Sequence, residues 1–245
     1  ELLNIVIVGG GATGIEVAGI LSEMKKFVLP NDYPDMSSSL MHIYLIEAGP
    51  RLLAGMSEES SAHAEQFLRE MGVNILLNKR VVDYRDHKVV LEDGTEIATR
   101  TFIWVSGVTG VTIGNLDASL IGRGGRIKVD SFNRVEGMNN VFAIGDQCIQ
   151  LADENYPNGH PQLAQVAIQQ GELLAKNLIR MEKGQEMKPF HYRNLGSMAT
   201  VGRNRAVAEF SKVKMQGWFA WVMWLVVHLR SILGVRNKVV VLLNW

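Results

Sequence analysis

Three glycines spaced as Gly9-x-Gly11-x-x-Gly14 form the strongest chemical pattern in this 245-residue sequence. A β-branched apolar run at 4–8 precedes them and predicts a buried strand, and an apolar pattern with helical spacing follows. In that context Gly9 permits a tight turn, Gly11 lets the backbone approach a pyrophosphate, and Gly14 permits close helix–strand packing. Free N–H groups at the helix start attract phosphates. The pattern predicts a dinucleotide site, and a plain glycine-rich turn is the alternative.

Glu47 ends the second predicted strand, 41–47. A carboxylate at that strand end hydrogen-bonds ribose hydroxyls and repels a 2′-phosphate, so NAD(H) is favoured over NADP(H). The gap from Gly14 exceeds the usual spacing of about 20 residues, and the polar loop 31–35 accounts for the extra length. Arg51 lies close in sequence and would weaken the discrimination. A solvated carboxylate is the alternative for Glu47.

Two further patterns lie in the second half of the chain. Gly145-Asp146 ends a strand predicted at 141–144, where a carboxylate can bind a polyol ligand, although a turn or N-cap role fits equally well. Gln165 and Gln169 share one face of a helix predicted over 162–181. Their amides suit a carbonyl ligand such as a flavin or a quinone, and taken alone a surface glutamine pair is the simpler interpretation.

Composition restricts the classes of protein. Hydrophobic residues make up 47% and charged residues 20%, which is ordinary for a globular protein. Cys148 is the single cysteine, so an internal disulfide and a CxxC pair are excluded within this sequence. The 25 basic and 25 acidic residues balance, which predicts no nucleic-acid partner. The histidines show no metal-ligand spacing, so no metal site is expected.

The end of the chain differs from the rest in charge. No Asp or Glu occurs in 210–245, whose basic residues are Lys212, Lys214, Arg230, Arg236 and Lys238. Helical spacing places Trp218, Trp221 and Trp224 on one side, together with Leu225, His228 and Leu229. The uncharged stretch 215–229 is shorter than the roughly 18–20 residues that span a bilayer. The pattern predicts a helix lying in the membrane interface, with the tryptophan side at headgroup depth. A buried core helix is the alternative.

Taken together, these residues resemble the C-terminal part of a type II NADH:quinone oxidoreductase, the single-subunit, non-pumping NADH dehydrogenase. The resemblance spans nearly the whole chain, and its most specific parts are the Ala-Gln-x-Ala-x-Gln segment and the tryptophan tail. The matching stretches are 6–16, 45–47, 103–107, 141–146, 164–169, 192–202 and 218–238.

The resemblance implies an α/β, two-dinucleotide-binding flavoprotein fold. It comprises a Rossmann-like NADH domain at 1–105, the C-terminal part of an FAD domain at 106–209, and an amphipathic membrane-anchoring region at 210–245. Members of the family carry a second, more N-terminal GxGxxG motif for FAD, which this sequence lacks. We therefore expect the chain to be a fragment of a longer protein, consistent with its start at Glu1.

The resemblance also implies a role for each matching position. NADH is expected at Gly9, Gly10, Gly11, Gly14 and Glu47. The ribityl chain of FAD is expected at Asp146 and its ring at Ala164 and Gln165, with Gly107 and Gly145 as further cofactor-binding positions. Gln165 and Gln169 are the expected catalytic residues, lining the quinone site.

The implied activity is hydride transfer from NADH to FAD, then transfer of two electrons to a membrane quinone, either ubiquinone or menaquinone. The implied location is peripheral, at the bilayer surface on the cytoplasmic face of the inner membrane, with a homodimer among the assemblies to be tested. Two other functions stay open. One is another NADH-dependent flavoprotein reductase, of the ferredoxin or disulfide type, and the other is a non-catalytic NADH-binding membrane sensor.

Overall fold

The computed structural model describes residues 3–35, 37–111, 113–211, 213–232 and 234–244. Within them the chain forms two compact units, one made of 1–106 with 196–245 and the other of 107–195. The predicted limits 1–105, 106–209 and 210–245 refer to ligand-binding regions and stay a prediction. Lys212, counted in the basic tail, lies outside the described residues, as do Glu1 and Trp245.

The first unit begins with a parallel sheet, as the buried apolar runs predict. Its strands follow the order β3-β2-β1-β7, and Ile5 in β1 lies beside Ile43 in β2 and Thr101 in β7. An antiparallel meander, β4-β5-β6, follows the third strand, as predicted. The elements are β1 (Asn4–Val8), α1 (Ala12–Glu23), α2 (Leu29–Asp32), β2 (His42–Ile46), α3 (Glu58–Glu70), β3 (Val73–Leu76), β4 (Val81–Arg85), β5 (Lys88–Leu91), β6 (Glu96–Ala98) and β7 (Thr101–Trp104).

The sheet is covered on both faces, which explains why its strands are apolar at consecutive positions. On one face Ile7 and Leu45 pack with Ile15 of α1 and Leu68 of α3. On the other face β1 and β2 contribute to a second cluster, where Val89 and Leu91 of the meander pack.

The ends of α3 are capped as the sequence predicts. Ser57 is the N-cap, and its hydroxyl accepts a hydrogen bond from the Ser60 backbone N–H at 3.3 Å. Gly72 follows the helix with φ of +82°, a left-handed conformation that ends helices and suits glycine.

The second unit is built around α4 (Ala164–Glu182), with β8 (Ile127–Val129) paired in parallel to β9 (Cys148–Gln150). The prediction of a strand at 141–144 is wrong. Phe142 forms a single isolated bridge with Arg134, and the run hydrogen-bonds to the irregular segment around Asn133 instead of to a strand. The regular strand forms after it, at β9.

The chain returns to the first unit with an antiparallel sheet, β10-β11-β12, formed by β10 (Ser197–Gly202), β11 (Arg205–Phe210) and β12 (Val213–Gln216). Two helices follow, α5 (Gly217–Ser231) and α6 (Val235–Asn244). Ala220 of α5 packs on Ala206 and Ala208 of β11, with Trp221 at the edge of the cluster.

The side of α5 predicted to face lipid is only partly exposed, with Trp218 and His228 exposed and Trp221 and Leu229 half-buried, and the lipid-facing side stays a prediction. Trp224 and Leu225 are each only 9% exposed, and Trp221 packs at the edge of the alanine cluster that joins α5 to β11. Of the three tryptophans on that side, Trp218 is the one that stays exposed. The opposite side of the helix carries the exposed apolar residues Phe219, Met223, Val226 and Val227.

We predict that Gly19→Ala destabilises the protein by about 1–3 kcal/mol, the usual cost of overpacking. A Cβ at Gly19 would lie 1.8 Å from the carbonyl oxygen of Val201 in β10, so α1 would have to move away from that strand. Urea denaturation measures the change. Gly55→Ala is the matched control, since a Cβ at Gly55 has no heavy atom within 4 Å. Equal stability of the two variants would contradict the prediction.

Candidate functional site

The glycine loop leaves the N-terminus of α1 open. Gly11 is the N-cap of the helix, and within the described parts of the chain no side chain caps it and a Cβ at Gly11 would meet nothing within 4 Å. The first backbone N–H groups of a helix have no intrahelical partner, and the helix dipole adds partial positive charge there. This terminus therefore offers donors to an anion that can approach the backbone closely.

The other glycines of the loop fix its shape. Gly9 has φ of +118°, and its N–H donates to the carbonyl of Ile46 at 2.9 Å. A Cβ at Gly14 would lie 1.8 Å from the Gly9 carbonyl oxygen, so only glycine allows the first turn of α1 to pack this closely on the loop. A Cβ at Gly10 would clash with Leu52 and Glu47. The packing role predicted for Gly14 is confirmed, and the role of the loop in binding stays a prediction.

Glu47 is held by the backbone around it. One carboxylate oxygen accepts a hydrogen bond from the Gly10 N–H at 2.6 Å, and the other accepts from the Gly49 N–H at 2.7 Å. The carboxylate is half-buried and oriented beside the glycine loop, so it is not simply a solvated strand-end charge. It places negative charge beside the loop, the location that the ribose-binding prediction requires.

Arg51 does not pair with Glu47. Its guanidinium donates to the carbonyls of Ala54 and Met56, each at 2.8 Å, and to that of Leu53 at 3.3 Å. The arginine therefore stabilises the turn at 53–56. This arrangement gives no support to the expectation that Arg51 weakens the preference for NAD(H) over NADP(H).

In the second unit, Gly145 and Asp146 lie in a short 3-10 turn, Gly145–Gln147. Gly145 has φ of +64°, and its N–H donates to the side-chain oxygen of Gln170 at 2.7 Å. Asp146 is exposed. Gly107 is exposed as well, with φ of +77°.

The glutamines of α4 bind backbone. The Gln165 side-chain oxygen accepts from the Leu195 N–H at 3.0 Å. The Gln169 amide makes two bonds to Arg193, accepting from its N–H at 3.0 Å and donating to its carbonyl at 2.9 Å. The two amides therefore hold the segment 193–195 on the first turns of α4. Ala164 opens the helix, is exposed, and has no side-chain cap before it.

Gln170 is a site residue that the sequence did not single out. It is 1% exposed and connects the Gly145 turn to the Cys148 thiol, whose Sγ lies 3.7 Å from the Gln170 oxygen. Burial raises the pKa of Cys148 more than these contacts lower it, so the thiol stays protonated at neutral pH. The absence of a redox role for Cys148 stays a prediction.

Glu16 was also missed. It follows Gly14 on α1, and its carboxylate accepts from the Thr200 N–H of β10 at 3.5 Å. Burial raises the pKa of Glu16, and the Thr200 hydrogen bonds and the nearby His228 offset part of that rise. A carboxyl with a raised pKa close to a predicted nucleotide loop is a candidate for holding a proton. Its position next to the motif was the one signal available in the sequence.

We predict that Glu16→Gln raises the thermal midpoint at pH 7, by about 2 °C for a chain of this size. A raised folded-state pKa contributes stability below the ordinary value of 4.5, and this contribution is lost as pH rises through the folded-state pKa. The neutral amide avoids that loss, so the difference should vanish near pH 4. Thermal unfolding across this pH range measures it. Glu154→Gln, in an exposed loop, is the control. A gain in the thermal midpoint that does not depend on pH would refute the raised pKa of Glu16.

The chain matches two family profiles that together cover almost all of it. The profile of the pyridine nucleotide-disulphide oxidoreductases matches residues 2–171, and that of the NDH2 C-terminal domain matches residues 194–245. The second profile match begins close to Gly196, the residue at which the chain returns to the first compact unit.

Similar proteins include the type II NADH:quinone oxidoreductase NdhA of Mycobacterium tuberculosis, 35% identical over 99% of this chain and 53% of that protein. The internal alternative NAD(P)H-ubiquinone oxidoreductase A1 of Arabidopsis thaliana is 33% identical over 100% of this chain and 51% of that protein. The chain thus spans about half the length of these relatives.

Among solved structures, NDH2 from Plasmodium falciparum in complex with NADH superposes with a TM-score of 0.86. The match covers 97% of this chain and 63% of that one at 20% identity, and it establishes the shared α/β fold. The chain therefore belongs to the pyridine nucleotide-disulphide oxidoreductase family, and its C-terminal part matches the NDH2 C-terminal domain.

Proposed function

We propose that the protein oxidises NADH and passes the electrons through FAD to a membrane quinone, without pumping protons. The observation that carries this proposal is the pairing of an open helix N-terminus at Gly11 with the Glu47 carboxylate fixed beside it. The helix N–H groups would bind the pyrophosphate, and the carboxylate would bind ribose hydroxyls while repelling a 2′-phosphate. The relative solved with NADH bound supports the same nucleotide.

The second unit has features that fit a flavin. Asp146 is exposed on a tight turn that Gln170 holds in place, and its carboxylate could accept hydrogen bonds from a ribityl chain. The N-terminus of α4, at Ala164 and Gln165, presents backbone N–H groups that would stabilise negative charge on a reduced ring. Bound FAD supplies a two-electron acceptor between a hydride donor and a quinone.

We infer that Gln165 and Gln169 act at the quinone site by shaping it. Their amides already bind the backbone of Leu195 and Arg193, so they fix the segment that would border the quinone. The names of the similar proteins NdhA and NAD(P)H-ubiquinone oxidoreductase A1 support a quinone as acceptor. The match to the NDH2 C-terminal domain favours this acceptor over a ferredoxin or a disulfide.

We propose that the enzyme works at the membrane surface, on the cytoplasmic face of the inner membrane, where it would form a homodimer. Among the described residues, no helix is long and apolar enough to cross a bilayer. The exposed apolar residues of α5, led by Phe219 and Val226, together with Val235 and Leu243 of α6, form a surface suited to interfacial insertion. Arg230, Arg236 and Lys238 add positive charge that favours anionic lipid.

The central test is spectroscopic. The intact protein, purified in detergent, is expected to show a flavin absorption band that bleaches when NADH is added anaerobically and returns when a quinone is added. Steady-state turnover with NADH and a soluble quinone then measures the activity. A protein that binds NADH with neither flavin nor turnover would support the non-catalytic sensor instead.

Glu47→Gln tests the nucleotide assignment in the same assay. The amide can still accept the bond from Gly10, but it no longer repels a 2′-phosphate. We expect preference for NADH over NADPH, measured as a ratio of kcat/KM, to fall by about tenfold, equivalent to roughly 1.4 kcal/mol. An unchanged ratio would exclude Glu47 from the ribose site while leaving the flavin and quinone steps intact.

Membrane binding is tested by replacing Phe219 and Val226 with serine together. Both side chains are more than half exposed, so folding should be retained while sedimentation with anionic liposomes falls several-fold. Val82→Ser on β4, an equally exposed valine outside the tail, is the control and should not change sedimentation. Equal sedimentation of all variants would contradict the proposed surface.

A further inference from the structure

A surface pocket of about 420 Å³ lies where the end of α1 meets the tight turn between β10 and β11. Ser22, Lys26 and Phe27 line it from the helical side, and Arg203 and Arg205 line it from the hairpin. None of these residues belongs to the glycine loop or to the predicted flavin and quinone positions. The pocket therefore needs an explanation of its own.

Ser22 contributes a polar atom that the fold leaves unsatisfied. The residue is 3% exposed, and its hydroxyl has no hydrogen-bond partner among the residues that the structure describes. Buried hydroxyls nearly always have a partner, so an unpaired one in the lining of a pocket points to a polar ligand group.

The charges of the pocket favour an anion. Its lining holds three cationic side chains, Lys26, Arg203 and Arg205, and two carboxylates. Glu70 pairs with Arg205 at 3.6 Å, and Glu23 keeps its charge while it accepts a hydrogen bond from the Arg203 backbone N–H at 2.5 Å. In the described part of the chain, the ion pairs include neither Lys26 nor the Arg203 guanidinium. Both cations are exposed at the pocket, where the Lys26 ammonium also lies 5.2 Å from the centre of the Phe27 ring.

A second hollow, also about 420 Å³, adjoins the first and is apolar. It is lined by Ile20, Met24, Phe27 and Val28, whose side chains are 41–60% exposed, and it shares Glu23, Phe27 and Arg203 with the cationic pocket. The residues Met24–Val28 form a π-helical turn that continues α1, and such turns recur at functional sites. An anion-binding pocket thus opens directly onto an apolar groove.

We propose that these two hollows together bind one anionic phospholipid. The phosphate would lie between Lys26 and Arg203, with the Ser22 hydroxyl as an additional partner, because a guanidinium and an ammonium suit its several acceptor oxygens. An acyl chain would lie along Ile20 and Met24. A free phosphate would leave the apolar hollow unused, and a zwitterionic lipid would place its own cation beside Lys26 and Arg203.

Titration calorimetry on the intact protein tests the proposal with soluble short-chain lipids below their micellar concentration. Dihexanoyl phosphatidylglycerol should bind about tenfold more tightly than dihexanoyl phosphatidylcholine, and Lys26→Ala combined with Arg203→Ala should weaken it by at least about tenfold. Ile20→Ser should weaken binding of the lipid and leave the binding of inorganic phosphate unchanged. Sodium decanoate, titrated separately, distinguishes a fatty acid from a phospholipid.

Val82→Ser and the α5 variant with Phe219 and Val226 replaced are the controls, and both should bind phosphatidylglycerol normally. Lys26→Glu gives a second test of the cation requirement with a single exposed substitution. The proposal would be overturned by equal affinity for the two lipids or by unchanged affinity in the cation variants. It would also be overturned if decanoate bound more tightly and displaced phosphatidylglycerol. NADH binding by the same samples should be normal throughout, so failure here is distinguishable from failure of the proposed enzymatic function.

Discussion

The first compact unit depends on two places where α1 touches backbone with no side chain between. At Gly14 the helix packs on the carbonyl of Gly9, and at Gly19 it packs on the carbonyl of Val201 in β10. A Cβ at either position would lie 1.8 Å from an oxygen, far inside van der Waals contact. The two contacts fix the start of the helix on the glycine loop and its later turns on the β10–β11 hairpin.

This constraint explains how a short segment can serve two different surfaces. The helix spans 12 residues, about 18 Å at 1.5 Å per residue. Its N-terminus directs unpaired N–H groups at the proposed nucleotide, and the loop is kept in shape by the Glu47 carboxylate bound to Gly10 and Gly49. Its C-terminal end continues into the π-helical turn at the cationic pocket. Between the two ends, Ile15 is buried in the core of the sheet.

Local patterns predicted the parts of the fold that local interactions determine. The cap at Ser57 and the meander after β3 depend on residues close together in sequence, and both are confirmed. The strand at 4–8 is confirmed as well, from its apolar composition, although its partners β2 and β7 are distant in sequence. The run 141–144 has the composition of a strand, but its neighbour is an irregular turn, so it makes only an isolated bridge. Which partner a strand finds is a non-local property that composition does not contain.

The candidate site follows the same division. The glycine spacing is a local signal, and the loop geometry agrees with it. The partners of Gln165 and Gln169 lie more than twenty residues away at 193–195, so no spacing rule could predict that these amides bind backbone.

The tail shows why a helical pattern alone does not identify which side of a helix packs on the protein. Both sides of α5 are apolar, and periodicity groups the tryptophans without indicating what they contact. The deciding information lies in β11, where Ala206 and Ala208 pack with Ala220 of α5 and with the edge of Trp221. Tryptophan buries more apolar area than valine, so packing it on the sheet stabilises the fold more than the reverse orientation would. The smaller residues Val226 and Val227 are left exposed on the other side of the helix.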